Sequence, residues 1–262
     1  MMMKKTALVT GASSGIGLEL SRLLAADGHN LVLVARNKAR LDEIAQDLRG
    51  RHGVEVAVMA ADLSDPVSAR ELAAALDARS IEVDVLVNNA GFGMHGVFAE
   101  ADVDQLLGML HVNMTSLTYL TRLILPQMIA RGTGSVLNVG STGSFGPCPL
   151  MAVYCATKAY VLSFSEALAE ELRGTGVSVT ALCPGVTETG FQARAKVEKI
   201  RMTQTPMMSA REVAEAGYRA MKQRRALTVP GIANRLLVFS WRLVPRSLGT
   251  WVAHKIMAPV AS

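Results

Sequence analysis

The chain has 262 residues, half of them hydrophobic and 5% aromatic, with a formal net charge of +5 and a pI of about 9.3. That length holds one large α/β domain or two small ones; with no linker, charge block or internal repeat, one domain is expected. The basic residues gather late, from Arg219 to Lys255, and are not interleaved with a stacking platform of aromatics, which speaks against a nucleic-acid partner. Cys148, Cys155 and Cys183 form neither an even set nor a metal-type spacing, so no metal site or disulfide framework is expected and a cytoplasmic location fits. No run reaches the ~18 consecutive apolar residues of a membrane span. Met1-Met2-Met3-Lys4-Lys5 leads straight into structure, with no signal-peptide apolar region before it.

In chain order, Thr6 to Thr10 reads as a strand, followed by the turn Gly11-Ala12-Ser13-Ser14-Gly15-Ile16-Gly17. Leu18, Leu20, Leu23 and Leu24 then recur at helical spacing until Gly28. Leu31 to Val34 is an apolar strand, Lys38 to Leu48 a charged helix, and Val54 to Ala60 a third strand ending at Asp62. Ser64-Asp65-Pro66 is expected to open the next helix, with the proline in its first turn. Val83 to Val87 is a fourth strand, leading into Asn88-Asn89-Ala90-Gly91.

One long helical stretch is expected from Asp102 to Ala130, stopped by Gly132. Ser135 to Val139 is a fifth strand, Gly140 to Pro149 a loop, and Ala152 to Leu172 a helix. Val177 to Leu182 is a sixth strand meeting Pro184-Gly185. Ser209-Ala210-Arg211-Glu212 has capping-box form and starts a helix ending near Lys222. Ala226 to Val229 is the last strand. Strands alternating with helices at this spacing predict an α/β fold, a doubly wound parallel sheet of about seven strands with helices on both faces, as in Rossmann proteins.

Two features carry chemistry. A strand, a glycine turn and a helix put backbone N–H groups and a helix N-terminus under a phosphate. At the end of the second strand an NAD site normally places an acid that holds the ribose 2′-hydroxyl. This chain has Ala35 and Arg36 there, and a guanidinium pairs with a 2′-phosphate, so NADP(H) is expected. Tyr154 and Lys158, four residues apart, share one helix face. An ammonium near a phenol in a dry site is expected to lower its pKa from about 10, giving an acid or base usable near neutrality.

Thr10 to Gly17, Asn88 to Gly91, Tyr154 to Lys158, and Pro184-Gly185 together resemble the motifs of the short-chain dehydrogenase/reductase family in its single-domain, NADP(H)-preferring form. The match runs in order from Thr6 to about Gly231. The resemblance implies four catalytic residues. Ser141 would bond the substrate carbonyl and Tyr154 would donate or accept the proton. Lys158 would tune Tyr154 and hold the nicotinamide ribose, and Asn113 would anchor a water joining Lys158 to solvent. It implies a phosphate cradle of Gly11, Ser13, Ser14, Gly15, Ile16 and Gly17, with Arg36, Asp62 and Leu63 toward the adenosine end. Asn89, Ala90 and Gly91 would follow the ribose side, while Pro184, Gly185, Thr187 and Thr189 would hold the nicotinamide amide and phosphate.

The domain organisation expected is a dinucleotide-binding and catalytic unit over 1–231, with a lid at about 190–209, and an amphipathic basic extension of the same domain over 232–262. The lid mixes Phe191, Val197, Ile200, Met202, Met207 and Met208 with Arg194, Lys196, Lys199 and Arg201, which fits a bulky or lipophilic substrate. In the extension, Leu236, Phe239 and Leu243 share a helical face near Arg235 and Arg242. Packing or oligomerisation is the first expectation for it, as a homodimer or homotetramer, with pocket closure and peripheral membrane contact as the others. The function expected is interconversion of a small-molecule ketone or aldehyde with its alcohol. The alternative is a nucleotide-binding interaction protein with idle chemistry.

Overall fold

A computed structural model describes residues 4–195, 197, 200 and 207–258. Strand β1 (Thr6–Thr10) runs into α1 (Gly15–Ala26), followed by β2 (Asn30–Ala35), α2 (Lys38–His52), β3 (Val56–Ala60), α3 (Ser68–Ala78) and β4 (Val85–Asn88). The second half contains α4 (Val103–Leu110), α5 (Leu117–Arg131), β5 (Gly134–Val139), α6 (Ala152–Glu171) and β6 (Val177–Leu182). A short pair, β7 (Thr187–Glu188) and β8 (Met208–Ser209), brackets the lid and its helix α7 (Phe191–Ala195). Helix α8 (Ala210–Lys222), β9 (Leu227–Thr228), α9 (Ile232–Ser240) and α10 (Arg246–Met257) complete the described chain.

Among the described residues, seven strands form one parallel sheet in the order β3-β2-β1-β4-β5-β6-β9. The two-residue period of β1 divides the core. Ala7 and Val9 pack with Leu20, Leu24, Leu33 and Leu41 beneath α1 and α2. Leu8 points the other way, with Leu72, Leu120, Met128 and Val136 beneath α3 and α5. Both sheet faces are thus covered, which is why these strands read as continuous apolar runs. Chain order reverses between β1 and its neighbours β2 and β4, and a parallel sheet opens its binding crevice at the C-terminal end of such a switch point.

Two expectations are corrected, and one is refined. The long central helix runs from Val103 to Arg131, and within it His111–Ser116 is a π-helical turn between α4 and α5, a change of pitch that leaves no mark in hydrophobic spacing. Pro66 precedes its helix instead of sitting in the first turn, because the Asp65 side chain accepts from Val67 N at 3.0 Å and holds a separate turn there. Val83 and Asp84 lie outside β4, where the Asp84 carboxylate takes Thr6 N at 2.8 Å. The capping box at Ser209 has formed, its hydroxyl accepting from Glu212 N and the Glu212 carboxylate accepting from Ser209 N.

Candidate active site

One cavity of about 950 Å³ runs across the C-terminal ends of the strands. At one end lies the glycine turn. Gly11 and Gly15 have φ of 67° and 56°, a left-handed conformation that suits glycine. A Cβ on Gly17 would stand 2.4 Å from both the Gly11 carbonyl oxygen and Asn89 Nδ2, so the turn closes only without a side chain there. Thr10 locks it from beneath: its Oγ1 accepts from Asn89 N and Ala90 N at 3.0 Å each and donates to the Val87 carbonyl. The Asn89 amide donates to the carbonyls of Thr10 and Gly11, so its side chain braces the turn, beyond the ribose contact expected from the resemblance. Helix α1 begins at Gly15 with no side chain bonded over its N-terminus, which leaves first-turn N–H groups for an anion.

Beside this cradle, Arg36 Nη1 lies 3.8 Å from Asp62 Oδ2. Burial works to raise the Asp62 carboxyl, but bonds from Ser64 N and Oγ, with Arg36 nearby, outweigh it and hold the pKa below the usual range. Asn37 and Arg40 line the same wall. Two guanidiniums around an uncapped helix end suit a dinucleotide bearing an extra phosphate on its adenosine ribose.

At the centre, Ser141 leaves β5 in an extended conformation and its Oγ accepts from Gly143 N at 3.0 Å. Ser144 Oγ accepts from Ser141 N and donates to the Lys158 carbonyl at 2.7 Å, which stitches this loop to α6. One turn apart on α6, Tyr154 and Lys158 face the cavity together with Ser141. Lys158 is 5% exposed; its ammonium donates to the Val139 carbonyl at 2.8 Å and stands 5.9 Å from the Tyr154 ring centroid.

The expected lowering of the Tyr154 pKa by Lys158 is not what these surroundings produce. Burial pushes the phenol above its ordinary value, Cys155 adds to the rise, and the nearby Ser141 hydroxyl opposes it. Burial also brings Lys158 down, to about 8. Both groups are held toward their neutral forms by the same dry environment.

Asn113 makes three hydrogen bonds. Its Nδ2 donates to the Phe92 carbonyl and to Thr157 Oγ1, each at 3.0 Å, and its Oδ1 accepts from Phe92 N at 3.2 Å. Thr157 Oγ1 in turn donates to the Tyr154 carbonyl. The π-helical turn aims Asn113 behind the cavity wall, where a Cβ on Gly91 would meet its Oδ1 at 2.9 Å and Lys158 Nζ at 3.4 Å. Ser141, Tyr154 and Lys158 therefore line the cavity and Asn113 does not. Of the expected cofactor residues, all but Gly17 line it: Gly11, Ser13, Ser14, Gly15, Ile16, Arg36, Asp62, Leu63, Asn89, Ala90, Gly91, Pro184, Gly185, Thr187 and Thr189.

The other end is apolar. Phe191 packs on Tyr154 with ring centroids 5.3 Å apart, and Met151, Val197, Trp241, Val252 and Met257 complete the wall. Val197 and Ile200 are buried with Cys148 and Cys155; Lys196, Lys199, Arg201 and Met202 lie outside the described residues. The chain after Gly231 closes this end. Trp241 fills space that a Cβ on Gly146 or Gly249 would enter at 2.5 Å, and His95 Nε2 lies 2.8 Å from the Met257 carbonyl oxygen. Sequence reasoning missed Arg40, Met151, Leu237, Trp241 and Val244 as pocket residues. A second arginine four positions after Arg36 was a readable signal for the first.

The chain belongs to the short chain dehydrogenase family, whose model matches residues 5–199. It is 32% identical over 226 residues to the ketoacyl reductase HetN of a Nostoc species, covering 84% of this chain and 76% of that one. Among solved structures it resembles a short-chain dehydrogenase from Sphingobium yanoikuyae in complex with NADPH, at a TM-score of 0.82 and 35% identity, covering 91% and 93% of the two chains. It also resembles the bulky-bulky ketone specific alcohol dehydrogenase from Comamonas testosteroni, at a TM-score of 0.77 and 33% identity, covering 91% and 92%.

Proposed function

We propose that this oxidoreductase uses NADP(H) to interconvert a bulky, lipophilic ketone with its secondary alcohol. The observation that carries the reading is one continuous cavity with an anion cradle flanked by Arg36 and Arg40 at one end, apolar walls at the other, and Ser141, Tyr154 and Lys158 between them. NADPH is the cofactor of the Sphingobium structure, and a bulky ketone is the specificity named for the Comamonas enzyme.

The bound cofactor supplies the hydride. Gly11, Gly15 and the N-terminus of α1 would hold its phosphates, and Arg36 and Arg40 its 2′-phosphate. Ser141 Oγ and the Tyr154 hydroxyl converge on the position of the substrate oxygen, stabilising the charge that develops there. In the reduction direction Tyr154 gives its phenolic proton to that oxygen. The neighbouring ammonium of Lys158 then stabilises the phenolate left behind, and in the dry site that stabilisation is strong. The reverse direction returns the proton to Tyr154. Asn113 holds the Phe92 segment and Thr157 in place, which keeps α6 in register with the loop that carries Ser141.

The test is turnover of NADPH and NADH against aliphatic, aryl and polycyclic ketones, followed by absorbance. Bulky ketones with NADPH should be reduced, and Tyr154→Phe should lower kcat by 10²-fold or more, as loss of a positioned acid does. No turnover with any ketone, or a Tyr154→Phe enzyme as fast as the parent, would sink the reading.

A further inference from the structure

The outer faces of α9 and α10 remain unpartnered in the folded chain. No residue of α9 is buried, and Leu236 is 65% exposed, Phe239 55% and Trp251 59%. Ile232, Leu236 and Phe239 follow one another at spacings of four and three along α9, so they form one stripe, while Leu237 and Trp241 turn inward to the pocket. On α10 the buried Gly249, Ala253 and Met257 take one side and Leu248, Trp251 and Lys255 the other. The Lys255 ammonium lies 5.8 Å from the Trp251 ring centroid.

The charge on this surface has one sign. From 232 to 258 the chain has Arg235, Arg242, Arg246 and Lys255 and no Asp or Glu. A two-fold contact made through this face would set two like-charged surfaces against each other, because such an interface presents the same patch from both copies. Exposed apolar side chains fringed by cations, with a tryptophan among them, match the boundary between acyl chains and anionic headgroups.

The same face holds the rim of the substrate pocket. Leu237, Val252 and Ile256 line the cavity while remaining 48%, 39% and 37% exposed. We propose that α9 and α10 seat the enzyme on an anionic lipid bilayer, with the apolar mouth of the pocket turned to the lipid. A ketone dissolved in the membrane then reaches Tyr154 without crossing bulk water. Only that last consequence rests on the reductase reading; the docking is measured without turnover.

The full chain would be sedimented with phosphatidylcholine vesicles, with and without phosphatidylglycerol, at low and at high salt. Phosphatidylglycerol should increase the bound fraction on the order of tenfold or more, and high salt should reverse the gain. The triple variant Leu236→Asp, Phe239→Asp, Leu248→Asp should lose binding. None of the three lines the cavity, so reduction of a small water-soluble ketone should be unchanged. If that variant does not fold, Arg242→Glu with Arg246→Glu tests the same surface through charge alone and should also release the protein.

The competing occupant is a second copy meeting this face with the segment of Phe98, Val103 and Leu107, which also has Glu100, Asp102 and Asp104. Light scattering decides it. An oligomer dispersed by either set of substitutions overturns the proposal, as does a full chain that ignores phosphatidylglycerol vesicles or variants that still bind them.

Discussion

Lys158 illustrates how a single residue trades stability for chemistry. Its ammonium is buried with one bond, to the Val139 carbonyl, and its pKa falls from 10.5 to about 8. A cation with a depressed folded pKa binds fewer protons in the native than in the unfolded state. The penalty is therefore full below about pH 8 and is relieved as pH rises toward 10.5. Lys158→Met should raise stability at pH 7 by about 1 kcal/mol, since removing the buried charge outweighs leaving the Val139 carbonyl without its donor. Thermal unfolding should show this gain shrinking between pH 8 and 10.5, and a variant less stable than the parent at pH 7 contradicts the argument. The parent's kcat/KM for reduction should fall as pH rises through about 8, where the ammonium beside Tyr154 is lost.

At the scale of elements, the site is made where two loops are tied to a helix. The Ser141 turn is fastened to α6 through Ser144, and the Asn88–Gly91 turn is fastened to the glycine cradle through Thr10 and Asn89. Gly17 sits at the tightest point of the second junction. In Gly17→Ala the new methyl meets the Gly11 carbonyl oxygen, a backbone atom that yields only by moving the turn. Overpacking of this kind costs about 1–3 kcal/mol. Because the displaced atoms belong to the proposed phosphate cradle, NADPH affinity should fall about tenfold or more, read by fluorescence titration beside a melting curve. Unchanged affinity with a lowered Tm would mean that the turn absorbs the methyl without opening.

At the scale of the whole molecule, the pocket is completed by segments far apart in the chain. Trp241 comes from the C-terminal region and stands against Gly146, in the loop that follows Ser141. Trp241→Ala removes apolar wall from the substrate end and leaves the cofactor end untouched. Its kcat/KM for a bulky ketone should drop roughly tenfold or more, while a small ketone stays within about twofold. An equal loss on both substrates would place Trp241 in the stability of the fold instead of in selectivity.

The alternation of strands and helices, the glycine turn, the position of Arg36 after β2 and the Tyr154–Lys158 pair on one helix face could all be read from sequence, because each depends on short spacings that local geometry converts directly into structure. The capping box at Ser209 formed for the same reason. Tertiary structure alone decided the rest. The π-helical turn at Asn113 is a change of pitch that apolar periodicity does not record. The direction of the pKa shifts at Tyr154 and Lys158 was set by burial, which depends on Phe191 and Val139 arriving from α7 and β5. The tail became a pocket wall because Trp241 found two glycines, Gly146 and Gly249, with room for an indole. Two residues on one helix face are a local fact, whereas a dry cavity is made by the whole chain.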